Sequence, residues 1–270
     1  MFDENVLLKK QEKLLYGRQM FDVELTTKCN KKCYLCPREK LARTNRTMTE
    51  ETFEILLDWL PSDCDVFFAG FGEPLLHEKC TEFVKHLHNS GRRASIMTNG
   101  ILLSAKKIAE LFDAGLDKLQ ISIMQKTDLE KIPHFVKIIS AEYKNRVVFN
   151  IIKEKEMNDD SEMVSFLNAG GWKYCIKRAH NRAGLLFPDV HGDELVTCAT
   201  FFCDTCINSE GKIQVCSSDI NDVHEIGSIS SMTFSELVEF KKGFLGNKEV
   251  CSICSNCTDE YRLKHFEEVQ

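Results

Sequence analysis

Residues 19–179 alternate between short apolar runs and longer amphipathic runs, and this alternation constrains the fold more than any other feature of the chain. Alternating strands and helices with short turns predict a parallel sheet covered by helices. Right-handed crossovers would curl that sheet, so we predict an α/β fold with a partial (β/α)6 TIM barrel. The predicted strands are 21–25, 65–69, 93–97, 118–123, 147–152 and 172–177, and the predicted helices are 49–60, 79–89, 104–114, 128–143 and 160–169.

Short motifs follow the first three predicted strands. Cys29, Cys33 and Cys36 follow the first strand, Gly72-Glu73-Pro74 follows the second, and Thr98-Asn99-Gly100 follows the third. In parallel barrels the functional site gathers at the C-terminal ends of the strands. We therefore expect these three motifs to form one site.

The thirteen cysteines are unevenly distributed, which indicates metal binding rather than disulfides. Three lie within 29–36 and seven within 198–257. The first three are close enough to hold three irons of a four-iron cluster and to leave the fourth iron open for a small molecule. The alternative for them is half of a structural zinc site. The isolated Cys64, Cys80 and Cys175 are expected to be small buried apolar residues.

Charge and hydropathy exclude several classes of partner. The formal net charge is −6 and the chain has no long basic run, so we expect neither nucleic-acid binding nor binding to anionic membranes. The first residues lack the charged-then-apolar order of a signal peptide, and no apolar run is long enough to span a membrane. These features predict a cytoplasmic protein.

The three motifs together resemble those of the radical S-adenosylmethionine (radical SAM) enzymes, over about residues 20–180. Tyr34 is the aromatic residue that this family usually carries before the third cysteine. The resemblance implies that Cys29, Cys33 and Cys36 bind a 4Fe–4S cluster. The residues that it implies for binding S-adenosylmethionine are Tyr34, Gly72, Glu73, Pro74, Thr98 and Asn99.

The resemblance also implies a reaction. Reductive cleavage of S-adenosylmethionine gives a 5′-deoxyadenosyl radical, which removes a hydrogen atom from the substrate. An external donor such as flavodoxin or ferredoxin would supply the electron. The cofactors carry the difficult chemistry, and the protein orients the reactants and excludes water.

Other polar residues near the predicted strand ends have two possible roles each. Ser122 and Asn150 could contact the ribose or carboxylate of S-adenosylmethionine, or they could be ordinary strand-end residues. Lys153 could pair with the carboxylate. The lysines that flank the first cysteine group could favour its thiolates or could be solvated loop charges. They are Lys28, Lys31 and Lys32.

The second cysteine group resembles an auxiliary-cluster domain called SPASM, or its shorter form, the twitch domain. Cys198 and Cys216 flank Gly211 with the spacing of its opening motif, and Gly211 permits a tight hairpin. The resemblance implies one auxiliary 4Fe–4S cluster. The ligands that it implies are Cys198, Cys216, Cys254 and Cys257, with Cys251 as a competitor.

Two further cysteines, Cys203 and Cys206, are extra to the twitch pattern. Together with Cys251 they could hold a second auxiliary cluster with an open iron. They could also be reduced thiols, one of them a hydrogen donor. For the whole second group, a zinc site of the ribbon type is the structural alternative.

These patterns divide the chain into three predicted parts. They are a lead segment at 1–19, a radical SAM partial barrel at 20–180, and a small cysteine-rich α+β auxiliary-cluster domain at 181–270. The last part is predicted to contain a hairpin at 207–215 and a helix at 231–244.

The candidate catalytic residues lie where the barrel meets the cysteine-rich part. Arg178 or Arg182 could face the mouth between the two parts and hold a polar substrate group, or could form an interdomain salt bridge. His180 could act as a base or could cap a turn.

Three functions remain open from the sequence. The first is oxidation of a small polar substrate, such as a sugar or aminocyclitol, with the auxiliary cluster accepting an electron; the short chain and the twitch-like spacing resemble a cyclitol dehydrogenase. The second is peptide modification by epimerisation, thioether formation or carbon–carbon crosslinking, against which the short lead segment is expected to be too small for a leader-binding domain. The third is a non-catalytic zinc-binding scaffold.

Overall fold

The computed structural model of the protein describes residues 4–153, 161–187, 198–247 and 250–259. Within these residues nine strands form one sheet in the order β6-β5-β4-β3-β2-β1-β7-β8-β9. The strands are β1 (Gln19–Val23), β2 (Cys64–Phe68), β3 (Arg93–Thr98), β4 (Lys118–Ile123), β5 (Val147–Lys153), β6 (Lys173–Arg178), β7 (Asp204–Ile207), β8 (Lys212–Gln214) and β9 (Glu225–Ser228). The helices are α1 (Glu4–Leu15), α2 (Glu50–Trp59), α3 (Cys80–Asn89), α4 (Ala105–Asp113), α5 (Lys126–Leu129), α6 (Ile132–Ile138), α7 (Ser161–Ala169), α8 (Ala199–Cys203) and α9 (Phe234–Lys242).

The six predicted strands are all present, and each is parallel to its neighbours from β1 to β6. The prediction of an α/β fold with a mainly parallel sheet is therefore confirmed. Thr49 and Ser104 cap α2 and α4 as expected, because each hydroxyl accepts a hydrogen bond from the backbone N–H three residues on. No helix in the described part of the chain combines the length and apolarity that a membrane crossing needs.

The sheet is curled. Burial raises the pKa of Asp22 on β1 to about 6, while the charges of Lys177 and Arg182 oppose this rise. In a flat sheet the five intervals from β1 to β6 would separate Asp22 from Lys177 by about 24 Å. Lys40, in the loop after β1, donates to the Leu185 carbonyl, beyond β6, at 2.6 Å. β6 therefore curves back toward β1, and the inner face of the sheet encloses a lumen.

The hydrophobic core lies between the outer face of the sheet and its helices. Phe21 and Val23 of β1 are fully buried on this side. Phe53 of α2 stacks on Phe83 of α3 with ring centroids 3.8 Å apart. Because side chains alternate across a strand, the residues between these core positions point into the lumen.

Two predicted helices differ from the structure. The helix predicted at 128–143 is divided into α5 and α6, because Pro133 lies in the first turn of α6 and is favoured where a new helix begins. The helix predicted at 231–244 is the shorter α9. Thr233 and Glu236 form a capping box that fixes its start, a signal that the sequence carried.

The cysteine-rich part continues the barrel sheet. Strand β7 pairs in parallel with β1, and the hairpin predicted at 207–215 is confirmed as β7 and β8. The pairing of β1 with β7 is not among the predicted features. Residues 1–19 are predicted as a lead segment, whereas residues 4–15 form α1, which packs against α8. The boundary placed at 180 stays a prediction.

Glu24, just after β1, joins three loops. Its carboxylate pairs with Arg43 at 3.2 Å and accepts hydrogen bonds from the backbone N–H of Phe71 at 3.2 Å and from the Ser209 hydroxyl at 3.4 Å. The Gly70 backbone passes so close that an added Cβ would lie 2.8 Å from the Glu24 side chain. Glu24 therefore fixes the loops after β1, β2 and β7 relative to one another.

We expect Glu24→Gln to lower the free energy of unfolding by about 3–5 kcal/mol, because it leaves the buried Arg43 charged and without its counter-ion. Denaturant unfolding of the full chain, followed by circular dichroism, measures this. The matched control is Glu210→Gln, which removes an exposed pair with Arg46 and should cost less than about 1 kcal/mol. Equal costs for the two variants would contradict the role given to Glu24.

Candidate functional site

The loop after β1 carries the first cysteine group. Cys29, Cys33 and Cys36 are half-buried and line one cavity together with Tyr34, whose side chain is half-exposed. The Cys36 backbone N–H donates to the Cys33 carbonyl at 3.0 Å, which closes a turn between the last two cysteines. The three sulfur atoms therefore face a shared space at the C-terminal edge of the sheet.

Burial and nearby charges shift the pKa values of two of these thiols in opposite directions. Burial raises the pKa of Cys33 and of Cys36. The charge of Lys31 lowers the pKa of Cys33, while the Arg38 backbone N–H and the charge of Arg182 lower the pKa of Cys36. Burial dominates in both cases, so these thiols need a further positive charge in the cavity to become thiolates.

The three lysines flanking this group have different environments. Lys31 is buried and donates to the Asp128 carboxylate. Burial raises the pKa of Asp128, but the hydrogen bonds from Lys31 and Lys131 outweigh this and hold it below its usual value. Lys32 forms an exposed pair with Glu39 at 2.9 Å, and Lys28 is exposed. Lys31 is thus the one of the three whose charge acts on Cys33 from a buried position.

The loop after β2 lies against the cysteine loop. The Glu73 backbone N–H donates to the Lys28 carbonyl at 2.8 Å. A Cβ at Gly72 would lie 1.8 Å from the Thr26 carbonyl oxygen, so only glycine allows this approach. Pro74 begins a short 3-10 helix, Pro74–Leu76.

The buried Glu73 carboxylate joins the second and third motifs. It accepts hydrogen bonds from the Thr98 hydroxyl at 2.7 Å and from the Asn99 backbone N–H at 2.8 Å. Burial raises the pKa of Glu73, and these bonds oppose the rise. The Asn99 amide in turn donates to Asn30 at 2.8 Å and lies 3.7 Å from the Cys29 sulfur. The structure therefore brings the three predicted motifs together.

The other candidates on the barrel lie farther along the same edge. Ser122 and Asn150 are register partners on β4 and β5. Asn150 is buried and donates to the Gln120 side chain, which holds its amide in the lumen. Lys153 ends β5.

The segment after β6 contacts the last cysteine turn. Asn181 is buried, its amide donates to the Asn256 carbonyl at 2.6 Å, and its backbone N–H donates to the Thr258 hydroxyl at 2.8 Å. Burial lowers the pKa of His180 to about 4, with the charge of Arg182 adding to this effect. The His180 ring is therefore neutral near pH 7.

The two candidate arginines face different surroundings. Arg182 has a left-handed backbone with φ of 49° and lies over the Phe71 ring at 5.7 Å. Its charge acts on both the Cys36 thiol and the Asp22 carboxylate, so it lies at the mouth of the lumen. Arg178 is exposed at the end of β6, on the face opposite to Lys177.

The second cysteine group forms another cavity. Five cysteines line it: Cys198, Cys216, Cys251, Cys254 and Cys257. The Cys216 sulfur accepts from the Ser218 backbone N–H at 3.4 Å, and the Cys257 sulfur accepts from the Asp259 backbone N–H at 3.5 Å. Cys251 and Cys254 have sulfur atoms 3.8 Å apart. This cavity therefore contains one cysteine more than a four-ligand site needs.

Burial controls the ionisation of these thiols. It raises the pKa of Cys216 to about 12 and that of Cys198 further still. The Cys198 thiol is also affected by Cys216, Cys254 and Cys257, so these four groups lie within electrostatic reach of one another. In the described part of the chain, no three His, Cys, Asp or Glu side chains are close enough to share a single metal ion. Cysteines that hold a four-iron cluster each bind a different iron, so they surround a larger space.

The remaining cysteines lie apart from both cavities. Cys206 on β7 is buried and pairs in register with Asp22, and the Cys203 thiol donates to the Ala199 carbonyl at 3.4 Å. Cys64 and Cys80 are buried in the core, as expected for apolar residues. Cys175 is half-buried, because β6 places it on the lumen side with Lys177, so the expectation of full burial was wrong for it.

Several site residues were not predicted. Asp22 and Glu24 are acidic residues at alternate positions of an otherwise apolar strand, and that pattern marks a polar inner face. Asn181 lies inside the stretch Arg178 to Gly184, in which only Arg178, His180 and Arg182 are predicted as functional residues. Only the fold connects it to residues 75 and more positions away.

Comparison with known proteins shows which family residues 23–156 resemble. Residues 23–156 match the family model described as the Radical SAM superfamily. Over 104 residues, 37% of the chain, it is 29% identical to the tungsten-containing aldehyde ferredoxin oxidoreductase cofactor-modifying protein of Pyrococcus furiosus. Over 103 residues, also 37% of the chain, it is 32% identical to the PqqA peptide cyclase of Bradyrhizobium diazoefficiens. The matches span 29% and 27% of the length of those two proteins.

Solved structures share the fold over a longer part of the chain. BtrN in complex with AdoMet and 2-DOIA is 21% identical, covers 90% of this chain and 94% of its own, and has a TM-score of 0.68. Streptococcus suis SuiB bound to precursor peptide SuiA is 13% identical, covers 94% of this chain and 72% of its own, and has a TM-score of 0.65. Residues 23–156 therefore match the Radical SAM superfamily model, and the solved structures share the fold of the chain.

Proposed function

We propose that the protein is a radical SAM enzyme that oxidises a small polar substrate of the sugar or aminocyclitol type. The observation that carries this proposal is the series of hydrogen bonds from Glu73 through Asn99 to the Cys29 loop. These bonds link three loops from separate strands at the edge where parallel barrels carry their sites. A purely structural zinc site would not need these hydrogen bonds.

The donor groups fit the cofactors of the family. Cys29, Cys33 and Cys36 offer three sulfurs around one cavity and would hold the 4Fe–4S cluster. Tyr34, the loop Gly72 to Pro74, Thr98, Asn99, Ser122 and Asn150 would hold S-adenosylmethionine. When bound, this pair supplies a 5′-deoxyadenosyl radical that removes a hydrogen atom from the substrate.

The residues of the chain have separable roles in this proposal. Glu73 acts as a positioning residue, because hydrogen bonds from Thr98, Asn99 and Leu75 already occupy its carboxylate. Asn99 donates toward the Cys29 sulfur, and such bonds tune cluster potentials. Arg182 would hold a polar substrate group at the mouth of the lumen.

One auxiliary 4Fe–4S cluster on Cys198, Cys216, Cys254 and Cys257 would accept an electron from the substrate. The mutual electrostatic effect of these four thiols supports this set, as do the backbone N–H donors at Cys216 and Cys257. Cys203 and Cys206 do not line the cavity, which favours one auxiliary cluster over two. An external electron donor such as flavodoxin or ferredoxin and a cytoplasmic location belong to the same proposal.

The similarity to BtrN supports the choice of a small substrate. BtrN in complex with AdoMet and 2-DOIA matches this chain over nearly the full length of both. Peptide modification is the second candidate, supported by the shared fold of SuiB with its precursor peptide and by the similarity to PqqA peptide cyclase.

We expect Cys29→Ala to reduce formation of 5′-deoxyadenosine to background in anaerobically reconstituted protein, because the cluster loses one of its three ligands. Chromatography of the nucleoside product after addition of dithionite and S-adenosylmethionine measures this. Cys64→Ala is the control, because Cys64 is buried in the core and should leave the yield near that of the unmodified chain. If Cys29→Ala retains activity, the central assignment fails.

Iron analysis distinguishes the members of the second group. The reconstituted chain should contain about eight irons and eight sulfides. Cys254→Ala should reduce both counts to about four, whereas Cys251→Ala should leave them near eight, because Cys251 is the spare sulfur. The reverse result would make Cys251 the ligand and Cys254 the spare cysteine. A colourless protein that contains zinc instead would support the scaffold.

Reaction in heavy water separates the two candidate activities. A small alcohol substrate that is oxidised loses two hydrogens and gains no deuterium at carbon. An epimerised peptide keeps its hydrogen count and gains one deuterium at carbon. Mass spectrometry of products formed from candidate aminocyclitols and peptides gives the answer, and deuterium at carbon would overturn the oxidation proposal.

A further inference from the structure

Two carboxylates share the inner face of the sheet. Phe21 and Val23 are fully buried on the helix side of β1, so Asp22 between them points into the lumen. The parallel register pairs Asp22 with Cys206 and Met20 with Asp204. Asp22 and Asp204 are therefore diagonal neighbours on the same face of adjacent strands.

One oxygen atom of each carboxylate has no hydrogen-bond partner among the described residues. The Oδ1 atom of each is inaccessible to solvent and has no hydrogen bond in the described part of the chain. Lys241, the nearest cation on the outer side, donates to the main-chain oxygen of Asp204 at 2.7 Å and to the Thr205 hydroxyl at 2.9 Å rather than to the carboxylate. A buried carboxylate oxygen without a donor is costly, so a bound group that donates to both oxygens would stabilise this arrangement.

The two groups also repel each other. Burial raises the pKa of Asp204 well above its usual value, and the charge of Asp22 adds to this rise. The charges of Lys177 on β6 and of Arg182 after β6 lower the pKa of Asp22. What is missing between the carboxylates is a group that brings both positive charge and hydrogen-bond donors.

We propose that Asp22 and Asp204 form a binding subsite for a protonated amino group of the substrate. An ammonium group carries one positive charge and three donors, which matches two unpartnered carboxylate oxygens. The charge of Arg182 acts on both Asp22 and Cys36, so the subsite and the cluster loop are both within electrostatic reach of this arginine. This inference rests on the proposed function, and it specifies the substrate as an amine.

The amino group could belong to an aminocyclitol or to a lysine side chain, and a binding experiment with the reconstituted full chain distinguishes these sources. The first pair of probes is 2-deoxystreptamine and its neutral analogue scyllo-inositol. The second pair is N-acetyl-lysinamide and N-acetyl-norleucinamide. We expect the amine of one pair to bind at least about tenfold more tightly than its neutral analogue in calorimetric titration.

The variants Asp22→Asn and Asp204→Asn should abolish that preference. Asparagine keeps the size of the side chain and removes a desolvated charge, so the melting temperature should stay equal or rise. Glu51→Gln on the exposed start of α2 is the matched control and should keep the preference. The proposal is overturned if neither amine is preferred by the unmodified chain, or if both lumen variants keep the preference.

A second measurement separates this inference from the proposed function. Uncoupled formation of 5′-deoxyadenosine without substrate should be measurable in the unmodified chain and unchanged in Glu51→Gln, because this reaction reports cleavage of S-adenosylmethionine and does not depend on substrate binding. Activity with no amine preference would overturn the subsite alone. Absence of 5′-deoxyadenosine from the unmodified chain would overturn the proposed function itself.

Discussion

The position of the site depends on a buried acid, Glu24. Its side chain leaves the end of β1 and meets Arg43, the Phe71 backbone and Ser209, so one carboxylate connects the loops that follow β1, β2 and β7. Burial raises its pKa, with the Arg43 charge opposing this, which means that the ion pair does not fully offset the cost of desolvation. The ion pair and its hydrogen bonds hold three loops that are distant in the sequence in one arrangement.

The same principle recurs one strand away. Glu73 is also buried, and its carboxylate orients Thr98 and Asn99, the end of β3. Both acids act on backbone N–H groups, which cannot move without moving a loop. The thiols beside them have pKa values raised by burial, so they depend on a bound cation for ionisation. Two buried acids thus hold the loops that surround the cysteine group in one arrangement.

Local patterns in the sequence were sufficient for most of the barrel. Alternation of apolar runs located β1 to β6, and hydroxyl residues located the starts of α2 and α4, because both signals involve residues close in the chain. Spacing of the cysteines and the strand-end motifs predicted which residues meet. The pairing of β1 with β7 was not predictable, since Met20 and Asp204 are 184 positions apart and no local pattern records their register. Acidic residues at alternate positions mark Asp22 as part of a polar inner face, but the sequence does not show which residues meet it there. Its neighbours in the lumen come from β6, β7 and the segment after β6.

The parallel pairing of β1 with β7 has a consequence for how the chain folds. Until β7 arrives, β1 is the edge of the barrel sheet and presents unpaired backbone groups. Joining them closes a loop of more than 180 residues, and contacts of such long range slow folding. Ribosomal synthesis delivers β1 first and β7 much later, so the emerging barrel spends that interval with an open flank at the strand that carries Asp22 and leads to Glu24. The cysteine-rich part thus also covers the edge that β1 would otherwise present.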